Sequence, residues 1–249
     1  VGNDGGVNQS AQTYVAWSWK AGGAARNNTD GSIASLVSAN TAAGFSIVSY
    51  TGNSTVGATI GHGLGVKPEL FFIKGLSATR DWIAWCNEDN TKLGYLNYTD
   101  AFDSSRYSWA LNSTQPTSTT ITFSNDAATN GSGNYIAYCW RSIAGYSKIG
   151  SYTGNGSTTG PTIVTGFEPA WVMVKRTDNT SAWNIQDNKR NTTNPRTSVL
   201  QASSSDQEYT SSTYAINFNT NDFQIVNSDN GWNTSGGTYI YMAFATNPT

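Results

Sequence analysis

The 249 residues carry a formal net charge of −2, with charged side chains at 12% and aromatic ones also at 12%. About half the usual share of charge, with no basic excess, excludes the electrostatic footprint that phosphate neutralisation requires, so no nucleic-acid partner is expected. No run approaches the roughly 18 apolar residues of a membrane span and no basic–apolar–small leader opens the chain, so membrane insertion is not expected either.

Residues 1–12 are rich in Gly, Asn and Gln and read as an irregular arm. Tyr14 to Trp19 read as a strand, and residues 21–43 as a small, polar connector running over the first domain, with one weak strand around Ile33 to Val37. From Gly44 onward the pattern predicts strand after strand: Phe45 to Tyr50, Leu70 to Lys74, Trp82 to Cys86, Leu93 to Asn97, Thr119 to Phe123 and Tyr135 to Ile143. The rhythm then repeats as Tyr146 to Tyr152, Trp171 to Arg176, Ala182 to Asp187, Ser198 to Gln201, Tyr214 to Phe218, Phe223 to Val226 and Tyr239 to Ala245. No segment shows sustained helical periodicity. Turns at Gly52, Asn130–Gly133, Gly154–Gly156 and Ser235–Gly237 separate the strands, and their glycines are expected to serve positive φ.

The order of these elements is duplicated. Ser49-Tyr50-Thr51-Gly52-Asn53 recurs as Ser151-Tyr152-Thr153-Gly154-Asn155, Pro68 meets Pro169, Trp82 meets Trp183, and Tyr135-Ile136-Ala137 meets Tyr239-Ile240-Tyr241. The offset stays between 101 and 104 throughout. A third, partial copy precedes both, since Tyr14-Val15-Ala16-Trp17-Ser18-Trp19 reads like Tyr135-Ile136-Ala137-Tyr138-Cys139-Trp140. The expected class is therefore all-β, with two tandem, sequence-related β-sandwich domains of jelly-roll type. Their bounds are 1–43 for an arm, a strand from a preceding unit and a connector, 44–144 for the first repeat and 145–249 for the second. A start at Val1 instead of a methionine is read as part of a longer multidomain protein.

Chemistry-bearing residues are sparse and do not follow the repeat. One histidine, His62 in Gly61-His62-Gly63-Leu64-Gly65, excludes a multi-histidine metal centre and reads as a loop residue. Asp81, Glu88, Asp89 and Asp100 have no acidic counterparts in the second copy, so no carboxylate pair is expected to act on a glycosidic bond. No loop alternates acids as calcium sites do. Cys86 and Cys139 read as free, buried thiols, although a disulfide between them is compatible with the sequence. The recurring Trp82 and Trp183 read as core markers. Trp109, Trp232, Tyr95, Tyr98, Tyr107 and Tyr209 stand in copy-specific or turn-rich stretches, and are the candidates for a receptor- or glycan-binding face.

Tyr14-Val15-Ala16-Trp17 with Lys20-Ala21-Gly22-Gly23, Ala43-Gly44-Phe45-Ser46-Ile47-Val48, Gly61-His62-Gly63-Leu64-Gly65 with Pro68, and Gly150-Ser151-Tyr152-Thr153-Gly154-Asn155-Gly156 together resemble a poorly characterised domain. That domain occurs in structural and tail-fibre-like proteins of marine bacteriophages, often beside laminin-G-like sandwiches, and the likeness runs from about residue 13 to the end. The resemblance supplies no catalytic residues. It implies a non-enzymatic virion component, a tail fibre, spike or capsid decoration, without cofactor or metal. Such a protein is expected to be a homo-oligomer, a trimer by preference, touching other virion proteins and a host-surface glycan or protein. The alternative is a carbohydrate-binding or adhesin module of an exported bacterial protein, secreted or at the cell surface.

Overall fold

The computed structural model describes residues 4–246; the first three positions of the expected arm and the last three of the second repeat lie outside the described residues. In chain order β1 (Arg26–Asn28), β2 (Ser35–Asn40) and β3 (Phe45–Thr51) precede β4 (Thr59–Gly61), β5 (Leu70–Gly75), β6 (Trp82–Cys86) and β7 (Gly94–Tyr95). The helix α1 (Ser104–Leu111), β8 (Thr120–Thr122) and β9 (Asn134–Trp140) complete the first half. The second half runs β10 (Ser147–Thr153), β11 (Thr162–Val164), β12 (Pro169–Arg176), β13 (Trp183–Asp187) and β14 (Ser198–Gln201). It ends with β15 (Tyr209–Thr210), β16 (Ile216–Phe218), β17 (Asp222–Ile225) and β18 (Thr238–Ala245).

The protein is all-β in class, built of antiparallel sheets. A seven-stranded sheet has the order β1-β2-β3-β9-β5-β6-β7 and a six-stranded one β10-β18-β12-β13-β14-β15. Strands matched by the sequence repeat therefore stand in the same order, β3-β9-β5-β6 in one and β10-β18-β12-β13 in the other. The register agrees as well: Tyr50 pairs with Tyr135 and Lys74 with Trp82, as Tyr152 pairs with Tyr239 and Lys175 with Trp183. Two small sheets, β4-β8 and β11-β17-β16, lie outside the large ones.

Alternation along the central strands sorts the side chains into three interiors. On β5, Phe71 and Ile73 join Ile60 of β4, Ile121 of β8 and Leu111 of α1 in one outer core. Val172 and Val174 of β12 do the same with Ile163, Phe218 and Phe223 in the other. The intervening residues point the opposite way, so Leu70, Phe72 and Trp140 of the first repeat pack with Trp171, Met173, Trp183, Met242 and Phe244 of the second. Both repeats thus contribute to the middle interior.

The recurring pentapeptide forms a clasp at one end of each large sheet. Tyr50 donates its hydroxyl proton to the Thr129 carbonyl at 2.6 Å, and Tyr152 does so to Trp232 at 2.8 Å. Asn130 accepts from the Asn53 N–H and donates to the Thr55 and Ser124 carbonyls; Asn233 accepts from the Asn155 N–H and donates to those of Ser157 and Asn227. The expectation of positive φ at Gly52 and Gly154 is corrected here, for neither is among the positive-φ glycines, whereas Gly156 and Gly236 are. What excludes a side chain is close approach: a Cβ on Gly52 would lie 2.1 Å from the Gly131 carbonyl oxygen, and one on Gly154 2.2 Å from that of Thr234. Gly52→Ala and Gly154→Ala are each expected to cost roughly 2 kcal/mol or more in urea unfolding. A stabilising effect, as at an unconstrained glycine, would refute the clasp.

The N-terminal third departs most from expectation. Residues 14–19 form no strand. Their copies β9 and β18 are central strands flanked on both sides, and those places are already filled in both large sheets. Residues 21–43 are not a loose connector, because β1 and β2 extend the first sheet beyond β3. The helix α1 was not foreseen: it is two turns long, capped by the Asp103 carboxylate accepting from the Ser105 N–H at 2.6 Å and closed by left-handed Asn112.

Candidate functional site

The middle interior is incompletely closed. Between the large sheets lies an open cleft of about 340 Å³ with walls from both repeats. The first repeat supplies Phe45, Ile47, Phe72, Trp82, Tyr138 and Trp140, and the second Trp171, Met173, Ile185 and Met242. Residues 14–19, unable to enter a sheet, lay Trp17 and Trp19 along the same cleft. Trp19 stands edge-on to Trp140 at 6.2 Å, to Trp171 at 5.5 Å and to Phe244 at 5.5 Å. Trp140 and Phe244 occupy the place of Trp19 in the repeat pattern, so three equivalent aromatics converge.

An unrepeated trio anchors this strap. The pairing of Trp171 with Asp187 matches that of Leu70 with Cys86, which puts Asp187 where the first repeat has a thiol. Asp187 accepts from the Trp17 indole N–H at 3.2 Å and from Arg190 Nε at 2.6 Å, and the Arg190 guanidinium lies 5.6 Å from the Trp17 ring. Burial pushes the Asp187 carboxyl upward, but the N–H groups and charge of Arg190, with the Lys189 N–H, outweigh it and hold the pKa below its ordinary value.

The six aromatic residues expected to form a recognition face are not brought together. Trp232 is fully buried in the second outer core and Tyr107 is buried on α1, where its hydroxyl accepts from Gln115 at 2.9 Å; both are core residues and not a surface. Their turn-rich setting misled, because each covers the open side of an outer core. Tyr209 is half-buried and tied through Gln201 to Asn184. Trp109 is half-buried against the first outer core. Tyr95 and Tyr98 do touch, at 5.5 Å, with the Arg106 guanidinium 4.5 Å from the Tyr95 ring. Of the two core markers, Trp183 is buried and Trp82 is half-buried on the cleft wall. Trp17 and Trp19 could have been found from the repeat alone, since they copy Tyr138 and Trp140 on the face that looks into the shared interior.

Other reactive groups are occupied structurally. His62 is fully buried: its Nε2 faces the Thr117 carbonyl at 3.3 Å and its Nδ1 accepts from the Leu64 N–H at 3.2 Å. Burial lowers its pKa, so the ring is neutral and holds the glycine-rich turn. Cys86 and Cys139 are free and lie in different interiors, with burial pushing both thiols up to about 12. Among the described residues no group of three or more His, Cys, Asp or Glu side chains is placed to hold a metal ion. No helix among them is long and apolar enough to cross a membrane.

Fold and site thus define an all-β protein whose repeats share an aromatic interior that opens to solvent. Residues 1–248 match a family described as a domain of unknown function (DUF7483), and the chain belongs to that family. Neither a curated protein nor a solved structure matches it.

Proposed function

We propose that this chain is a non-enzymatic structural component of a bacteriophage virion, a tail fibre, spike or capsid decoration, contributing to host-surface attachment or particle architecture. The observation that carries the reading is the duplicated clasp. Hydrogen bonds of Tyr50, Asn130 and Gly52 recur at Tyr152, Asn233 and Gly154, while His62, the cysteines and the carboxylates Asp81, Glu88, Asp89 and Asp100 do not recur. A duplication that preserves interior and turn geometry while freeing the surface to diverge suits a scaffold acting by contact. Many weak contacts then gain strength from copy number on a particle. The likeness of the motifs to phage tail-fibre-like proteins supplies the setting.

Gold-labelled antibody raised against the chain is expected to decorate purified particles of the phage that encodes it. Unlabelled particles whose protein content lacks the chain would overturn the proposal. Sugar-specific binding by the isolated monomer on a glycan array would replace it with the adhesin reading.

A further inference from the structure

We infer that a polar pocket at the clasp end of the first repeat is a docking site for an acidic peptide segment, an aspartyl carboxylate presented by a partner protein. All of its walls come from this chain, so the inference does not depend on the virion reading. The second repeat shows the occupied form of the same place.

There Asp178, in the bend after β12, fills the position. Its carboxylate accepts from the Thr238 N–H at 3.1 Å and takes a two-pronged contact from Arg176, through Nε at 2.8 Å and Nη2 at 3.0 Å. Arg176 also donates to the Asn230 side chain.

Strand register and hydrogen bonding fix the counterparts of this trio in the first repeat. Gly75 pairs with Tyr135 as Arg176 pairs with Tyr239, and the Asn134 N–H donates to Ser77 Oγ as the Thr238 N–H donates to Asp178. The Tyr135 hydroxyl donates to the Ala127 carbonyl as the Tyr239 hydroxyl does to that of Asn230. Glycine therefore replaces the arginine, serine the aspartate and alanine the asparagine. These three smaller residues line an open pocket of about 420 Å³.

The cation is restored from another position, but the anion is not. Arg80 lines the pocket, and its stem crosses Gly75 so closely that a Cβ there would lie 3.0 Å from Arg80 Cγ. Burial raises the pKa of Tyr135 and Tyr239 alike, and a guanidinium opposes it in each, Arg80 in the first and Arg176 in the second. The two cations thus stand at corresponding points. No Asp or Glu lines the pocket, and Arg80 is in no ion pair among the described residues. A planar guanidinium matches a carboxylate prong for prong, so the missing partner is a carboxylate from outside.

The remaining walls suit a peptide as its bearer. Ser77 Oγ accepts the Asn134 N–H and keeps its own proton for a guest, while Ser54, Asn125, Ser132 and Asn134 add hydroxyls and amides that can pair with peptide groups. The volume is in the range of pockets that enclose small ligands, room for an aspartyl side chain with its flanking peptide bonds. Asp178 itself, the guest in the second repeat, is a peptide-borne carboxylate.

The test titrates the isotope-labelled whole chain with acetylated, amidated Gly-Gly-Asp-Gly-Gly and with its Asn counterpart, followed by NMR at the Arg80 side-chain N–H and the Ser77 and Ser132 amides. Saturable shifts are expected at those groups, with the Asp peptide bound roughly tenfold tighter than the Asn peptide. Arg80→Gln removes the charge, and Ser77→Asp builds in the carboxylate that the second repeat carries; both positions are exposed. Each is expected to weaken the Asp peptide by about tenfold or more, with no fall in the urea midpoint. Equal affinity for the two peptides, or undiminished binding to either variant, would overturn the site. Glucuronate producing the same shifts at lower concentration than the Asp peptide would overturn the peptide partner in favour of an acidic sugar.

Discussion

Trp183→Ala is expected to lower stability by about 3–5 kcal/mol, the range for truncating a buried tryptophan. Trp183 is almost fully enclosed, and its partners belong to the other repeat. It stands edge-on to Phe72 at 5.8 Å, lies 6.1 Å from Phe102, and donates its indole N–H to the Tyr95 carbonyl at 2.8 Å. Truncation opens a cavity in the middle interior and leaves that carbonyl without its donor. Its repeat equivalent Trp82 is half-buried on the cleft wall, so Trp82→Ala is expected to cost only about 1–2 kcal/mol. Urea unfolding followed by tryptophan emission checks both. Because Trp183 ties the repeats together, a single transition should move as a whole. A Trp183→Ala protein in which one half unfolds early while the other keeps the wild-type midpoint would show that the repeats are independent.

The central strands were legible because duplication and alternation speak for the same elements. Trp82–Cys86 and Ser198–Gln201 were anticipated to the residue, and the other long central strands to within one to three at either end. What escaped were elements too short to show a period: β1, β4, β11 and β15 have two or three residues each, and α1 only eight. Their existence depends on the sheet they cover. The strap failed for a different reason, since Tyr14–Trp19 has the composition of a strand but every place for it is taken.

The site was less readable still. Alternation shows that a tryptophan points away from one core, but not whether a second sheet or solvent meets it there. So Trp140 and Trp171 passed for ordinary strand residues, while Trp232, the residue that closes an outer core, passed for surface. The second repeat also puts Asn184 and Gln186 where the first has Ile83 and Trp85. The second repeat has no helix matching α1, and there Gln186 donates to the Arg196 carbonyl, between β13 and β14, and to the Tyr214 carbonyl, at the end of a 3-10 turn before β16. A polar residue in a core position was thus a sign of what covers it.

The same reasoning applies to Lys175, for which a distinct pH signature is expected. Its repeat equivalent Lys74 is partly exposed beside Trp82, but Lys175 is fully buried. Its Nζ donates to the carbonyls of Thr99, Arg176 and Ser181 at 3.1, 2.7 and 2.8 Å, so all three ammonium protons are used. Thr99 belongs to the first repeat, and the Phe102 N–H to Thr177 carbonyl bond continues the seam. Burial lowers the Lys175 pKa from its ordinary 10.5 to about 7. Between those values the unfolded chain binds a proton that the folded one does not, so stability contributed by this group rises with pH across the window and is lost as pH falls towards 7. The slope is bounded by about 1.4 kcal/mol per pH unit. Lys175→Met keeps the volume, removes the titration and leaves three carbonyls without donors. Relative to wild type it should therefore be least destabilised near pH 7 and progressively more so towards pH 9.5. Above that, buried tyrosines such as Tyr241, whose pKa burial raises, begin to pull stability the other way. Urea midpoints measured from pH 7 to 9.5 decide the matter: parallel pH profiles for wild type and Lys175→Met would mean that Lys175 stays charged in the fold throughout.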